Sequence, residues 1–440
     1  MSELAVWMNG EQVATWTEHR GAHRLHYQPS WLASPRCRSL SLSLPITPSL
    51  EIAGPAVKHY FDNLLPDNKD IRERARRRYG AKSTEVFDLL TALGRDCVGA
   101  AQLLPLDATP DGYDQVRCRP LTEEDVERRL VAVTSDRPEA VDEMQGEFRI
   151  SLAGAQEKTA FLWHEGQWCL PLGATPTTHI MKLPLGIIGG MRRADRLESI
   201  ENEWLCLHLM QALGFRVAQT EMARFGDQKV LVVERFDRGR VDGRGIARWP
   251  QEDFCQAMGL PPSQKYENEG GPGLDRCLTL LRGGADPWND RAVFLLGQLV
   301  FWMLGATDGH AKNFSVFLHA GDTYALTPFY DVLSIYPMVG KGVGEVPPQG
   351  VRMAMGVKSR NKHWYQHEIQ PRHWASLAKK AGLPSLLGQM VALAHAVPVA
   401  IAHVESELPA DFPARIWDTI TLGLRKQAQH FLAGLEADEG

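Results

Sequence analysis

From 292 to 304 the chain is almost continuously apolar, then breaks at Gly305 into Ala306-Thr307-Asp308-Gly309-His310-Ala311-Lys312-Asn313, and a later apolar segment ends in Phe329-Tyr330-Asp331. An apolar helix of that kind needs a core around it, and a polar loop at its end sits on a rigid support, as a chemically active constellation requires. Alone, an aspartate with an asparagine five positions on is most simply a turn after a buried helix. The second aspartate and the signals upstream argue for more.

Asp308, Asn313 and Asp331 are the minimal equipment for moving a phosphoryl group from Mg·ATP. That transfer involves little covalent chemistry with the protein, so it needs positioning and charge stabilisation. Asp308 is expected to orient a hydroxyl and accept its proton, while Asn313 and Asp331 supply the hard oxygen ligands magnesium prefers. His310 and Lys312, between them, are expected to steady the loop or the developing charge.

Upstream lies a second set of signals. Leu152, Ala153, Gly154, Ala155, Gln156, Glu157 and Lys158 form a small-residue loop whose amides can approach phosphates; with a single glycine it reads equally as a hairpin turn. Lys182 ends the alternating run His179-Ile180-Met181-Lys182 and is expected to pair with ATP phosphates, held by Glu203 or Glu201 of the next helix; an exposed strand-end lysine is the alternative. The strand 229–235 runs through Val232 and Val233 into Glu234, Arg235, Phe236 and Asp237, where backbone groups of Glu234 and Phe236 can meet an adenine edge, or simply turn at the surface. Loop, lysine, connector, Asp-x-x-x-x-Asn and metal aspartate occur in the order of a two-lobed kinase.

The chain has 440 residues, enough for two or three domains. Hydrophobic residues at 44%, charged residues at 23% and a net charge of −5 describe an ordinary globular protein and argue against one that coats nucleic acid. Seven cysteines without a Cys-x-x-Cys fit reduced thiols rather than a disulfide framework or zinc site. No signal segment opens the chain, and 294–306, taken as the longest apolar run, is too short to span a bilayer. A cytoplasmic protein with no membrane association is expected.

Asn9-Gly10 between two apolar segments predicts a hairpin, and Leu40-Ser41-Leu42-Ser43-Leu44, alternating with period two, predicts another strand of the same small sheet. Helices are predicted at 55–65, 67–80 and 87–93, the second rich in arginine (Arg72, Arg74, Arg76, Arg77, Arg78), a solvated face that could also serve as a contact surface. A charged connector helix covers 121–145; strands follow at 147–151, 159–163, 179–183 and 229–235, with a helix at 195–213. From 251 the pattern is mostly helical, at 275–282, 290–305, 372–381, 384–405 and 412–433. The expected division is an N-terminal α/β region at 1–120, a phosphate-loop and lysine-strand lobe at 121–250, and a helical C-terminal lobe with the catalytic loop at 251–440.

Several longer motifs resemble the HipA serine/threonine-protein kinase toxins: Phe148 to Thr159, Thr175 to Pro184, Val233 to Arg238, Pro250-Gln251-Glu252-Asp253, Gly305 to Ser315 and Leu326 to Asp331, with Leu40 to Pro45, Phe61 to Pro66 and Gly94-Arg95-Asp96 extending the likeness nearly end to end. The resemblance implies an α/β N-terminal region packed on a two-lobed protein-kinase-like (PI3/4-kinase-like) core with a mostly helical C-terminal lobe. It implies a non-specific serine/threonine-protein kinase using ATP and Mg2+, and a toxin of a bacterial type II toxin-antitoxin system that joins a HipB-like helix-turn-helix antitoxin on operator DNA. The implied target is glutamyl-tRNA synthetase, whose phosphorylation halts translation and promotes persistence. By motif, Asp308 is the catalytic aspartate, Asn313 and Asp331 the metal ligands, Lys182 the phosphate lysine, and Ser151 an autophosphorylated serine. A phosphate adds about 1.5 to 2 negative charges next to the phosphate loop, so phosphorylation of Ser151 is expected to switch the enzyme off. Arg372, Lys379 and Lys380 lie in a helix whose family counterpart faces operator DNA; a solvated basic helix is the alternative. A small-molecule kinase and a catalytically idle corepressor are the competing readings.

Overall fold

The computed structural model describes residues 2–134, 154, 156–188, 194–241 and 245–439. Two compact units emerge, one of Met1–Leu183, Glu221–Ser263 and Ser315–Tyr324, the other of Pro184–Thr220, Gln264–Phe314 and Ala325–Gly440. The segments expected at 1–120 and 121–250 thus fall largely in one unit, and the segment from 251 is shared between both.

In the first unit, an antiparallel sheet runs Glu51–Ala53, Ala22–Tyr27, Glu11–His19, Ser2–Met8, Gln102–Leu104. Its first hairpin turns at Asn9 and Gly10, with φ of 46° and 84°, the left-handed pair that suits the strand twist. Trp16 stacks on Phe61 at 3.9 Å between ring centroids and tilts against Phe87, so helices Pro55–Asp62 and Val86–Leu93 close over one face. The expected strand at 40–44 is instead a turn. Ser41 Oγ accepts from the Ser43 amide at 3.1 Å, the Ser41 carbonyl accepts from the Leu44 amide at 3.0 Å, and the Leu42 amide donates to Glu252 at 2.8 Å. Serine hydroxyls here offer the backbone a local partner, and that outcompetes the ladder.

A six-stranded sheet in the same unit has the order Thr220–Phe225, Gln228–Glu234, His179–Lys182, Lys158–His164, Gln167–Pro171, Cys118–Pro120. Helix Glu123–Thr134 lays Val126 and Leu130 against Phe161, Met181 and Val230. The rest of the expected connector helix, the strand at 147–151, and Ser151, Leu152, Ala153 and Ala155 lie outside the described residues. Helix Lys69–Tyr79 commits most of its arginines: Arg72 to Asp62, Arg74 to Glu157, Arg76 to Glu73, and Arg78 to the Ala132 carbonyl. An open arginine surface is therefore not what this helix presents.

The second unit is mostly helical, built on Ser199–Ala212, Pro287–Leu304, Pro371–Lys380, Leu386–Glu405 and Ala414–Glu439. The helix expected from 195 begins at Ser199, because Ala194–Arg196 pairs antiparallel with Gly186–Ile188 and its backbone is already committed. Leu386–Glu405 is longer than the apolar stretch at 294–306 and is long and apolar enough to cross a membrane by length and composition alone. Leu386, Met390, Ala394, Val397, Ile401 and Val404 recur every three or four residues, are buried, and pack it among neighbouring helices, the pattern of a core-facing helix. All seven cysteines are free thiols.

Candidate functional site

Helix Pro287–Leu304 is the post from which the Asp308 loop grows. Asp286 caps its first turn through the Asn289 amide, Pro287 takes the first helical position, and Gly305 at φ 61° ends it while the Ala306 amide bonds back to the Phe301 carbonyl at 2.8 Å. Leu295, Leu299, Val300, Trp302 and Met303 are wholly buried. Trp302 and Gln366 exchange two hydrogen bonds, 3.1 Å and 2.6 Å, which fasten the last turn.

The loop is folded on itself around Asp308. Its carbonyl accepts from the His310 amide and from Asn313 Nδ2, both at 2.8 Å, and the Asn313 amide donates to the His310 carbonyl at 2.9 Å. The Asp308 carboxylate is exposed, and Tyr266 donates its hydroxyl to Oδ1 at 2.6 Å. His310, Lys312 and Asn313 are buried, with His310 edge-on to the Tyr266 ring. The Lys312 carbonyl accepts from the Tyr330 hydroxyl at 2.9 Å, and this brings the Phe329-Tyr330-Asp331 segment to the loop. On its other side that segment is held by the Phe329 amide on the Arg216 carbonyl (2.9 Å) and the Ala218 amide on the Phe329 carbonyl (2.8 Å). Asp331 itself sits at φ 59°, a left-handed conformation that costs a non-glycine residue energy and persists only where the surroundings impose it. Asp308 and Asn313 are thus joined within one loop, and the Tyr330 hydroxyl ties the segment that carries Asp331 to that loop.

This donor set fits a nucleotide-bound magnesium rather than a protein-caged metal. No group of three or more His, Cys, Asp or Glu that could hold an ion occurs among the described residues. Magnesium in such sites takes only one or two protein oxygens and draws the rest from phosphates and water. Asn313 spends its amide nitrogen on Asp308, which leaves the amide oxygen as the end able to ligate, and Asp331 adds a carboxylate.

The lysine strand is central in its sheet, with Lys182 directly opposite Leu231 on one side and Lys158 on the other. Directly opposed residues of an antiparallel pair project to one face, so Lys158 and Lys182 share a face of the sheet, and Lys182 is 7% exposed. Gly154, at φ 107°, passes so near that a Cβ there would meet Lys158 Nζ at 2.6 Å. Its carbonyl accepts from the Asp67 amide at 3.1 Å. Gln156 donates to the Leu183 carbonyl, while the Glu157 carbonyl accepts from the Leu183 amide at 3.1 Å. Glu201 and Glu203 are buried on helix Ser199–Ala212.

At the connector, Glu234 is exposed and Phe236 half-buried, but Arg235 faces inward. Its amide donates to the Thr178 carbonyl at 2.9 Å, and its guanidinium reaches Asp237 (2.8 Å), Asp96 (3.3 Å), Thr177 (2.9 Å) and the Cys97 carbonyl (2.8 Å). The Arg235 side chain is therefore structural, a correction to its assignment as a nucleotide contact. Arg238 and Arg248 complete the cluster on Asp96, at 3.0 Å and 3.3 Å. Burial alone would raise the Asp96 carboxyl, yet the guanidiniums of Arg238, Arg235 and Arg248 and the Thr177 hydroxyl outweigh it and hold it far below the usual carboxylate range. Sequence reasoning missed this lock, although Gly94-Arg95-Asp96 and Val233 to Arg238 both stand among the motifs. Tyr266 was also missed, and no spacing rule would have found it. Arg372, Lys379 and Lys380 are all exposed on helix Pro371–Lys380, with Lys380 donating to the Ser359 carbonyl.

Comparison with known proteins now decides the family. Residues 150–404 match the HipA-like C-terminal domain and residues 4–104 the HipA N-terminal domain. The chain belongs to the HipA family. The "Putative kinase Y4mE" of Sinorhizobium fredii is 33% identical over 408 residues, covering 91% of each chain. The serine/threonine-protein kinase toxin HipA of Shewanella oneidensis is 27% identical over 403 residues, covering 88% of this chain and 84% of the relative. A HipA from Shewanella oneidensis, solved with HipB and its operator DNA, superposes with a TM-score of 0.80 at 24% identity, over 99% of this chain and 98% of that one. The HipA fold thus extends over essentially the whole chain.

Proposed function

We propose that this HipA-family chain is a serine/threonine-protein kinase toxin that transfers a phosphoryl group from Mg·ATP to a serine of a protein target. The observation that carries this reading is the hydrogen bonding that gathers Asp308 and Asn313 in one loop and ties the Phe329-Tyr330-Asp331 segment to it, with Asp331 at a φ of 59°. Support also comes from the HipA toxin relative, which is named a serine/threonine-protein kinase. Bound Mg·ATP would supply the transferred group and the metal charge that neutralises it. Asp308 would orient the acceptor hydroxyl and take its proton, with Lys312 and His310 behind the loop. Lys182 and Lys158 would hold phosphate oxygens, with Gly154, Gln156 and Glu157 alongside, and Glu234 and Phe236 would offer backbone groups to the base. We infer a two-lobed, kinase-like arrangement for the fold, in a cytoplasmic protein.

The finer reading follows the family. Ser151 is the proposed autophosphorylation site that ends activity, glutamyl-tRNA synthetase the proposed target, and persistence the proposed consequence. A HipB-like antitoxin and operator DNA are the proposed partners, as in the Shewanella complex, with Arg372, Lys379 and Lys380 adding salt-dependent affinity for the DNA backbone. The test is incubation of the dephosphorylated full chain with Mg·ATP, read by peptide mass beside Asp308→Asn. Wild type should gain a phosphate on Ser151 and the variant none, a loss of about 100-fold or more in rate. Equal incorporation by both would remove Asp308 from the chemistry, and ATP binding without incorporation by either would favour a small-molecule kinase or an idle corepressor.

A further inference from the structure

We propose that Tyr266 is a positioning residue for phosphoryl transfer: its hydroxyl clamps Oδ1 of Asp308 and thereby aims the other carboxylate oxygen at the acceptor hydroxyl. The role rests on the reading of Asp308 as the catalytic aspartate. Its foundation is geometric. The bond is 2.6 Å long, short for a neutral donor and typical of a phenol on a charged carboxylate. An exposed aspartate on a loop has two rotatable bonds, and without a partner it would sample several orientations. A general base is useful only within hydrogen-bond reach of the proton it takes.

The clamp has its own foundation. Tyr266 lies in a tight turn whose Glu269 and Gly271 amides both bond to the Tyr266 carbonyl, at 3.0 Å and 2.9 Å. Gly271 admits no side chain, since a Cβ there would meet the Gln264 carbonyl oxygen at 2.2 Å. One residue before the tyrosine, the Lys265 carbonyl accepts from the Ala311 amide at 3.2 Å, a second tie to the Asp308 loop. One residue after it, Glu267 is 8% exposed in its side chain and gathers the Gly356 amide (2.8 Å), the Trp364 indole (2.9 Å) and Lys362. This anchors the turn to the hairpin Arg352–Lys358/Lys362–Tyr365. The tyrosine ring meets His310 edge-on, with centroids 4.9 Å apart. A buried acid thus fixes the turn, the turn fixes the phenol, and the phenol fixes the carboxylate.

The test compares wild type, Tyr266→Phe, Asp308→Asn and the double variant as dephosphorylated full chains, following autophosphorylation with labelled Mg·ATP across ATP concentrations. Phenylalanine keeps the ring and its contact with His310 and removes only the hydroxyl. The maximal rate of Tyr266→Phe should fall about tenfold, the size expected for one hydrogen bond to a charged group. Half-saturating ATP and the thermal midpoint should stay as in wild type, and the double variant should be no slower than Asp308→Asn. An undiminished or faster Tyr266→Phe, with wild type active, overturns this role alone. A variant that loses ATP affinity or its thermal midpoint together with rate shows the contact to be structural, and also overturns it. Absence of transfer by wild type brings down the kinase reading, and this role with it.

Discussion

Lys182 is nearly buried and stands directly across the ladder from Lys158. Taking an ammonium out of water is costly unless neighbouring groups compensate it. Lys182→Met, close in shape and uncharged, should abolish most of the upward shift in thermal midpoint that Mg·ATP produces in wild type. An ATP-induced shift as large as that of wild type would release Lys182 from the phosphate role. The lysine was visible in the alternating run that ends at 182. Its opposition to Lys158 was not, because register is a property of paired strands.

Among elements, helix Pro287–Leu304 shows how packing and function meet. Gly297 lies in its interior, where glycine costs about 1 kcal/mol relative to alanine. A Cβ there would stand 2.3 Å from the Phe329 ring. Overpacking of this kind costs about 1–3 kcal/mol, so the collision outweighs the gain in helix propensity. Gly297→Ala should lower the urea midpoint, and it should slow phosphate transfer as well, because Phe329 leads directly to Tyr330 and Asp331. A stabilised variant would mean that the ring has room to move. The apolar period announced this helix in the sequence, whereas the reason for its glycine lies on a segment some thirty residues away. The serine alternation at 40–44 misled for the opposite reason: its period suits a strand, but the hydroxyls bond locally and the turn wins.

At the scale of the whole molecule, the first unit is held together by polar groups far apart in the chain. Glu252 is fully buried and accepts from the Leu42 amide, and Arg235, Arg238, Arg248, Asp96 and Asp237 lock the end of the 228–234 strand to the segment after helix Val86–Leu93. Burial pushes the Glu252 carboxyl up to about 8, more than the hydrogen bonds from Leu42 and Ser41 draw it down. The folded protein then keeps a proton that the unfolded chain releases. The stabilising contribution is whole below the ordinary value of 4.5 and is lost as pH rises through about 8. Within that window the loss has a slope of about 1.4 kcal/mol per pH unit. Urea unfolding of wild type and Glu252→Gln from pH 5 to 9 should therefore diverge, wild type losing stability relative to the variant until the difference levels off above pH 8. Parallel curves would show that the acid is not protonated in the fold.

The lysine strand, the strand before the connector, the helix that carries the Asp308 loop and the helical C-terminal part were legible in the sequence by itself, because each has a local signature: a period or a breaker. Only the tertiary structure decided that Arg235 turns inward, that most arginines of helix Lys69–Tyr79 are committed, that Asp331 is held at a positive φ, and that Tyr266 reaches Asp308 from 42 positions away in the chain. Those outcomes depend on which side chains meet after the chain has closed on itself, and no local period or propensity encodes a meeting between distant residues.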